Sequence, residues 1–139
     1  MKLDNRTRVT AQFRAESWQE AAYSEVEQTG KLSRAAIINV ISGGIEGQGV
    51  LEYLLAYPGK GNDAVRFTGI ERIVGRIGAA EGSLVLRHEG TFSPDKGVEG
   101  SLEILPGCGG GDFAGFCGRG TISAKPGEHG GEYILLIER

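Results

Sequence analysis

From Val9 to Ala15 apolar and polar positions alternate, with Val9, Ala11 and Phe13 on one side and Thr10, Gln12 and Arg14 on the other. A period of two predicts a strand. Residues 17–31, SWQEAAYSEVEQTGK, lose the alternation and leave room for a helical turn before a Thr29-Gly30 turn. Leu32 to Ile41 is a β-branched run that stops at Ser42-Gly43-Gly44. Ile45 to Tyr57 sets Ile45, Leu51, Tyr53, Leu55 and Tyr57 on one parity against Glu46, Gln48 and Glu52. YPGKGND, residues 57–63, is a turn by composition.

The alternation resumes from Ala64 to Arg76: Val65, Phe67, Glu71 and Ile73 oppose Arg66, Thr68, Arg72 and Arg76. Gly82 to Phe92 groups Leu84, Leu86, His88 and Phe92 against Glu81, Ser83, Arg87 and Glu89. After the SPDKG turn at 93–97, Val98, Gly100, Leu102 and Ile104 alternate with Glu99, Ser101 and Glu103. A short strand at Thr121–Ala124, a KPGEHGG turn and a last strand at Tyr133–Glu138 complete the chain.

These segments make about eight strands joined mostly by short turns, with no long helix among them after residue 30. Strands without crossover helices pair antiparallel. Closing them on themselves removes the exposed edges. The predicted fold is all-β: a single closed eight-stranded antiparallel barrel over residues 1–139, with a sandwich as the alternative. Glycine supports this, at 24 of 139 residues. It is scattered rather than clustered, as twisted strands with bulges and tight turns require.

The net charge of −3 leaves no basic surplus for phosphates, so nucleic acid is not an expected partner. The longest apolar runs, AAII and YILLI, fall far short of the roughly 20 residues of a membrane helix. The N-terminal MKLDNRTRVTAQFRAE has no apolar core of a signal peptide. The expected compartment is therefore the cytoplasm, with Cys108 and Cys117 as reduced thiols.

GCGGGDFAGFCGRG, residues 107–120, holds both cysteines and invites three readings. Its Gly109-x-Gly111-x-x-Ala114 fits a loose dinucleotide pattern, but that fingerprint needs a following helix and a parallel strand. A metal knuckle would need Cys108, Cys117, His88 and His129 to converge without any CxxC. Neither metal nor cofactor is expected. The remaining reading is a connector in which Asp112 caps one short helical turn at 112–116. Phe113 and Phe116 would then plug one barrel end, with the cysteines as small buried fillers.

Three segments taken in order resemble DUF3224, a bacterial family of unknown function. They are GIEGQGVLEYLLAY (44–57), FTGIERIVGRIGAAEGSLVLRHEGTF (67–92) and GCGGGDFAGFCGRG (107–120), closed by YILLI. The resemblance covers roughly residues 9–137 and implies an allene-oxide-cyclase-like, calycin-like barrel that self-associates as a homo-oligomer. It implies no reaction. The third segment departs from the family pattern: Cys108 stands at a Ser position, Gly110 at a Thr position, and Cys117 where a basic residue is common.

Two sets of residues carry candidate chemistry. Glu71 and His88 each sit on the apolar parity of neighbouring strands. An inward polar group must be hydrogen-bonded or it costs several kcal/mol. The pair reads as a general acid/base couple, as a satisfied structural pair, or as the product of a parity slip at Gly69 or Gly75 that turns Glu71 outward. Tyr53, Tyr57, Phe67 and Phe92 are the second set, either walls of a pocket or plain core. The leading functional expectation is a barrel that binds a small apolar ligand. The alternatives are a cofactor-independent cyclase or isomerase using Glu71 and His88, and a structural or oligomerisation module with a filled interior.

Overall fold

The computed structural model describes residues 6–59 and 64–139. The strands are β1 (Thr7–Val26), β2 (Gly30–Gly43), β3 (Glu46–Tyr57), β4 (Val65–Ile77), β5 (Ala80–Ser93), β6 (Gly97–Ile104), β7 (Gly110–Gly111), β8 (Cys117–Ala124) and β9 (Gly130–Glu138). Every pairing is antiparallel. The order β4-β3-β2-β1-β9-β8-β6-β5 is closed by β4–β5, so eight strands ring the sheet, while β7 adds two residues beside β5. No helix is present among the described residues, hence none long and apolar enough to cross a membrane.

The alternation read from sequence becomes the inside and outside of this ring. On β4 Val65, Phe67, Glu71 and Ile73 are buried, and Arg66, Thr68, Arg72 and Arg76 are exposed. Pairing runs unbroken through Gly69 and Gly75, so no slip turns Glu71 outward. The apolar interior gathers Ile37, Ile41, Leu51, Leu84, Leu102 and Leu135, among others.

The structure departs from the expected elements in several places. Residues 17–26 are not helical: β1 continues through them for 20 residues, paired with β2. The alternation breaks there because the register shifts between Ala15 and Ser17, and again between Ala22 and Ser24. A residue inserted by a bulge reverses which parity faces inward. Trp18 and Glu20 therefore sit opposite Ile37 and Ala35, which are buried. The last two strands also start earlier than expected, at Cys117 and Gly130. Of the 57–63 turn, residues 60–63 lie outside the described residues.

The expected helical turn at 112–116 is absent. Gly111 and Gly115 take φ of 61° and 85°, so the chain reverses tightly at both ends of the segment. Asp112 does not cap a helix. Its carboxylate Oδ2 accepts from the Glu81 N–H at 2.9 Å, and its own N–H donates to the Glu81 carbonyl at 2.8 Å. This double bond to the start of β5 holds the connector against the ring. Phe113 and Phe116 are buried and stacked at 5.0 Å within the apolar cluster. They close the end at which β2 turns into β3 and β4 into β5. The cysteines are not buried fillers: Cys108 is exposed, Cys117 is half-buried, and neither is bridged.

Candidate functional site

The opposite end of the ring opens into a cavity of about 450 Å³. All four aromatics of the expected set line it: Tyr53 and Tyr57 from β3, Phe67 from β4 and Phe92 from β5. Phe92 stands at the rim, 41% exposed. Phe13 and Trp18 of β1 add two more rings, and Glu16, Glu128 and His129 stand in the wall beside them. Trp18 reaches this position through the bulge in β1.

Below the cavity lies a buried polar cluster. Glu71 of β4 and His88 of β5 are both 0% exposed, and His88 Nε2 meets Glu71 Oε1 at 2.9 Å. His88 Nδ1 meets the Tyr53 hydroxyl at 2.8 Å. Tyr133 of β9 donates its O–H to Glu71 Oε1 at 2.8 Å, and Asn39 of β2 donates its amide N–H to Oε2 at 3.0 Å. Asn39 Nδ2 also lies 3.4 Å from the Tyr133 hydroxyl. The Glu71 carboxylate thus accepts from Tyr133 and Asn39 and faces the His88 ring. In the tautomer with the proton on Nε2, His88 donates to Glu71 and its bare Nδ1 accepts from Tyr53. In that tautomer the chain of bonds runs one way, from Tyr53 through His88 to Glu71.

Burial pushes the Tyr53 and Tyr133 phenols well above the ordinary value, and the negative charge of Glu71 adds to it. Both keep their protons at neutral pH, as the direction of the chain requires. The rings brace one another: Tyr133 stacks on Phe13 at 4.6 Å, and His88 meets Tyr53 edge-on at 5.3 Å.

Glycine makes room for this cluster. A Cβ at Gly49, on β3 beside Asn39 and Ile73, would fall on the Glu71 carboxylate, 2.8 Å from its Cδ. A Cβ at Gly69 would meet the Glu52 backbone carbonyl first and then the Tyr53 ring at 2.5 Å.

A second carboxylate lies nearer the mouth. Glu20 Oε2 accepts from Ser33 Oγ at 2.6 Å and from the Tyr57 hydroxyl at 2.5 Å, and Oε1 accepts from Trp18 Nε1 at 2.9 Å. Burial works against its charge, but the bonds from Ser33, Tyr57 and Trp18, with Lys31 nearby, outweigh it and hold the carboxyl below its usual range. Tyr57 is pushed up to about 12 by burial and by its bond to Glu20.

The structure thus brings Glu71 and His88 together but places them behind the cavity. Tyr53 and Asn39 stand between them and the open space. Asn39, Tyr133, Trp18, Glu20 and Gly49 were not singled out from the sequence. Asn39 and Tyr133 share the parity of Ile37 and Ile41, and of Leu135 and Ile137, so the rule that marks Glu71 also marks them. No group of His, Cys, Asp and Glu that could hold a metal ion occurs among the described residues.

Fold and site together define an all-β, barrel-like protein with one capped end, an aromatic cavity at the other, and a hydrogen-bonded carboxylate–imidazole cluster between. The chain belongs to the DUF3224 family, proteins of unknown function, whose family model matches residues 9–135. It is similar to the crystal structure of a DUF3224 protein of unknown function from Shewanella oneidensis MR-1. Sequence identity is 26% and the TM-score 0.71, over 96% of this chain and 99% of that one. It shares its fold with a pyocyanin demethylase at 15% identity and a TM-score of 0.60, over 94% of this chain and 99% of that one. No curated protein matches the sequence.

Proposed function

We propose that the protein is an allene-oxide-cyclase-like barrel that holds a small, mostly apolar molecule in its open end. The observation that carries this reading is the cavity of about 450 Å³ walled by Phe13, Trp18, Tyr53, Tyr57, Phe67 and Phe92. Its size and mixture of rings with a few polar groups match ordinary small-molecule sites. The fold it shares with a pyocyanin demethylase is one in which a small molecule can be handled. Native mass spectrometry of the purified chain, with calorimetry against apolar aromatic probes, tests the reading. A retained molecule or a probe that competes with it is expected. A Leu55→Trp change fills the wall and abolishes binding. If the native chain retains nothing and binds no probe, the reading falls.

One observation favours an added proton-transfer role: the one-way chain from the cavity wall inward. A proton leaving a ligand passes to the Tyr53 oxygen while the Tyr53 proton passes to His88 Nδ1. Glu71 then faces an imidazolium, which it stabilises. Returning the proton elsewhere on the ligand completes an isomerisation without a cofactor. In this reading Tyr53 is the catalytic residue, and His88 and Glu71 act through it. A His88→Gln variant is expected to keep binding and lose turnover. Undiminished turnover would remove the role. The self-association expected of the family would use the exposed Val50, Leu54, Ile70 and Val74 on the outside of β3 and β4.

A further inference from the structure

The polar hydrogens of Tyr53, Asn39, Tyr57 and Trp18 in the cavity wall point away from the cavity. Tyr53 gives its O–H to His88, and Asn39 gives its N–H to Glu71. Tyr57 gives its O–H to Glu20, as does the Trp18 indole N–H. Two carboxylates outside the wall, Glu71 below and Glu20 at the side, thus collect the wall's donors.

What these four side chains leave toward the cavity is lone pairs, while Ser17 and His129 stand elsewhere in the wall. Asn39 is 2% exposed and lines the cavity, and its Oδ1 has no hydrogen-bond partner among the described residues. No side-chain nitrogen or oxygen there is both sealed and unpartnered, so this oxygen touches the open space. The amide cannot be read the other way round, because only an N–H satisfies Glu71 Oε2. The Tyr53 and Tyr57 oxygens, having donated, present only acceptor capacity. No Lys or Arg lines the cavity, while Glu16 and Glu128 do.

We propose that the cavity selects flat apolar molecules that carry an O–H or N–H donor at the leading end, which bonds Asn39 Oδ1, and that it rejects anions and molecules bearing acceptors alone. The inference rests on the ligand-binding reading above and names the ligand class for that site. An acceptor brought against Asn39, Tyr53 and Tyr57 would face acceptors and lose its water without replacement. A carboxylate would also meet Glu16 and Glu128, with no Lys or Arg among the lining residues to receive it.

The test compares 2-naphthol, 2-fluoronaphthalene and 2-naphthoate by titration calorimetry on the full chain. The first two have nearly the same shape and differ in the donor. Binding of 2-naphthol is expected to be about tenfold tighter than that of 2-fluoronaphthalene, the effect of one well-made buried hydrogen bond. No measurable binding of 2-naphthoate is expected. In an Asn39→Ala variant the advantage of the naphthol shrinks to within about twofold. Should that variant not fold, the comparison in the unaltered chain still decides. If the two neutral probes bind the unaltered chain equally, or naphthoate binds as well as naphthol, the donor rule is overturned while the cavity reading stands. If no probe binds at all, the cavity reading itself has failed and takes the rule with it.

Discussion

A Gly49→Ala substitution sets a methyl group where Glu71 lies. The backbone at Gly49 is not in the left-handed region, so alanine is tolerated there conformationally and would by itself help the strand by about 0.5–1 kcal/mol. The three nearest atoms to the new Cβ are all side-chain atoms of Glu71: Oε2, then Cδ at 2.8 Å and Cγ at 3.2 Å. Since no backbone atom is involved, the whole cost passes through the carboxylate. To clear the methyl it must leave Asn39, whose bond to Oε2 is 3.0 Å long. A charge-assisted bond of that kind contributes about 1.5–3 kcal/mol, and overpacking a full site adds about 1–3 kcal/mol. The expected loss is about 2–5 kcal/mol, large against the roughly 5–15 kcal/mol of a folded domain yet measurable. Guanidinium unfolding followed by circular dichroism reads it. The decisive form is a double-mutant cycle with Glu71→Ala. In that background the methyl enters vacated space, and Gly49→Ala should cost nothing. Coupling between the two sites of several kcal/mol is expected. Additivity to within about 0.5 kcal/mol would refute the reasoning, because it would mean that Gly49 and Glu71 do not share the space assigned to them.

Three other outcomes follow from the same geometry. Glu71→Gln replaces two acceptor oxygens by one oxygen and one NH₂, so that with the oxygen kept for His88 and Tyr133, the Asn39 amide must turn over. Its N–H then faces the cavity, and calorimetry should show 2-naphthaldehyde overtaking 2-naphthol; an unchanged ranking would contradict the orientation argument. The Tyr57 phenol, raised from 10.0 to about 12, favours the folded state below pH 10, and this contribution is lost as pH rises from 10 to about 12. Glu20, lowered from 4.5, contributes above that value and loses its contribution as pH falls through its folded value. Stability curves of Tyr57→Phe and Glu20→Gln should therefore flatten at the alkaline and acid limbs respectively, and limbs identical to the unaltered chain would count against the Glu20 cluster. Phe113→Ala, at a fully buried position, should destabilise by about 3–5 kcal/mol in the same denaturant assay while leaving probe binding at the far end intact; a loss under about 1 kcal/mol would mean the ring is not capped there.

Much of the ring was legible because its strands alternate cleanly. On β4 and β5 the period of two placed Glu71 and His88 inside, and the ring brings them within 2.9 Å. The same rule failed on β1, where bulges change the parity in mid-strand. Trp18 and Glu20 lie in a polar stretch that could hold a helical turn, and nothing local to SWQEAAY says that the strand goes on. Pairing with β2 decides it, and pairing is not a local property. Residues 112–116 misled in the opposite way. Asp112 has the chemistry of a cap, but Glu81 takes its bonds from a distant turn. Whether aromatics line a space or fill it also lies beyond pattern reading, since Tyr53 and Tyr133 occupy equivalent inward positions and only Tyr53 borders the cavity.

Glu71 is an expensive residue to keep inside a ring that apolar side chains could fill. Withdrawing a carboxylate from water costs several kcal/mol, and well-packed apolar replacements of such groups are often as stable or more so. Stability is therefore a poor account of the cluster. Direction is a better one. A charged acceptor below the cavity fixes which way Asn39, His88, Tyr133 and Tyr53 point, and no neutral group of the same size would do so. Glu20, on a different strand and nearer the mouth, has the same effect on Tyr57 and Trp18. Two unrelated positions using one device on the same cavity tie the device to the cavity rather than to local folding. The glycines agree with this. Gly49 leaves space for the carboxylate, and Gly69 for the Glu52 backbone and the Tyr53 ring, both at the level of the cluster. Side chains at these positions would add buried apolar area, so their absence favours the orientation of the polar groups over the density of the core.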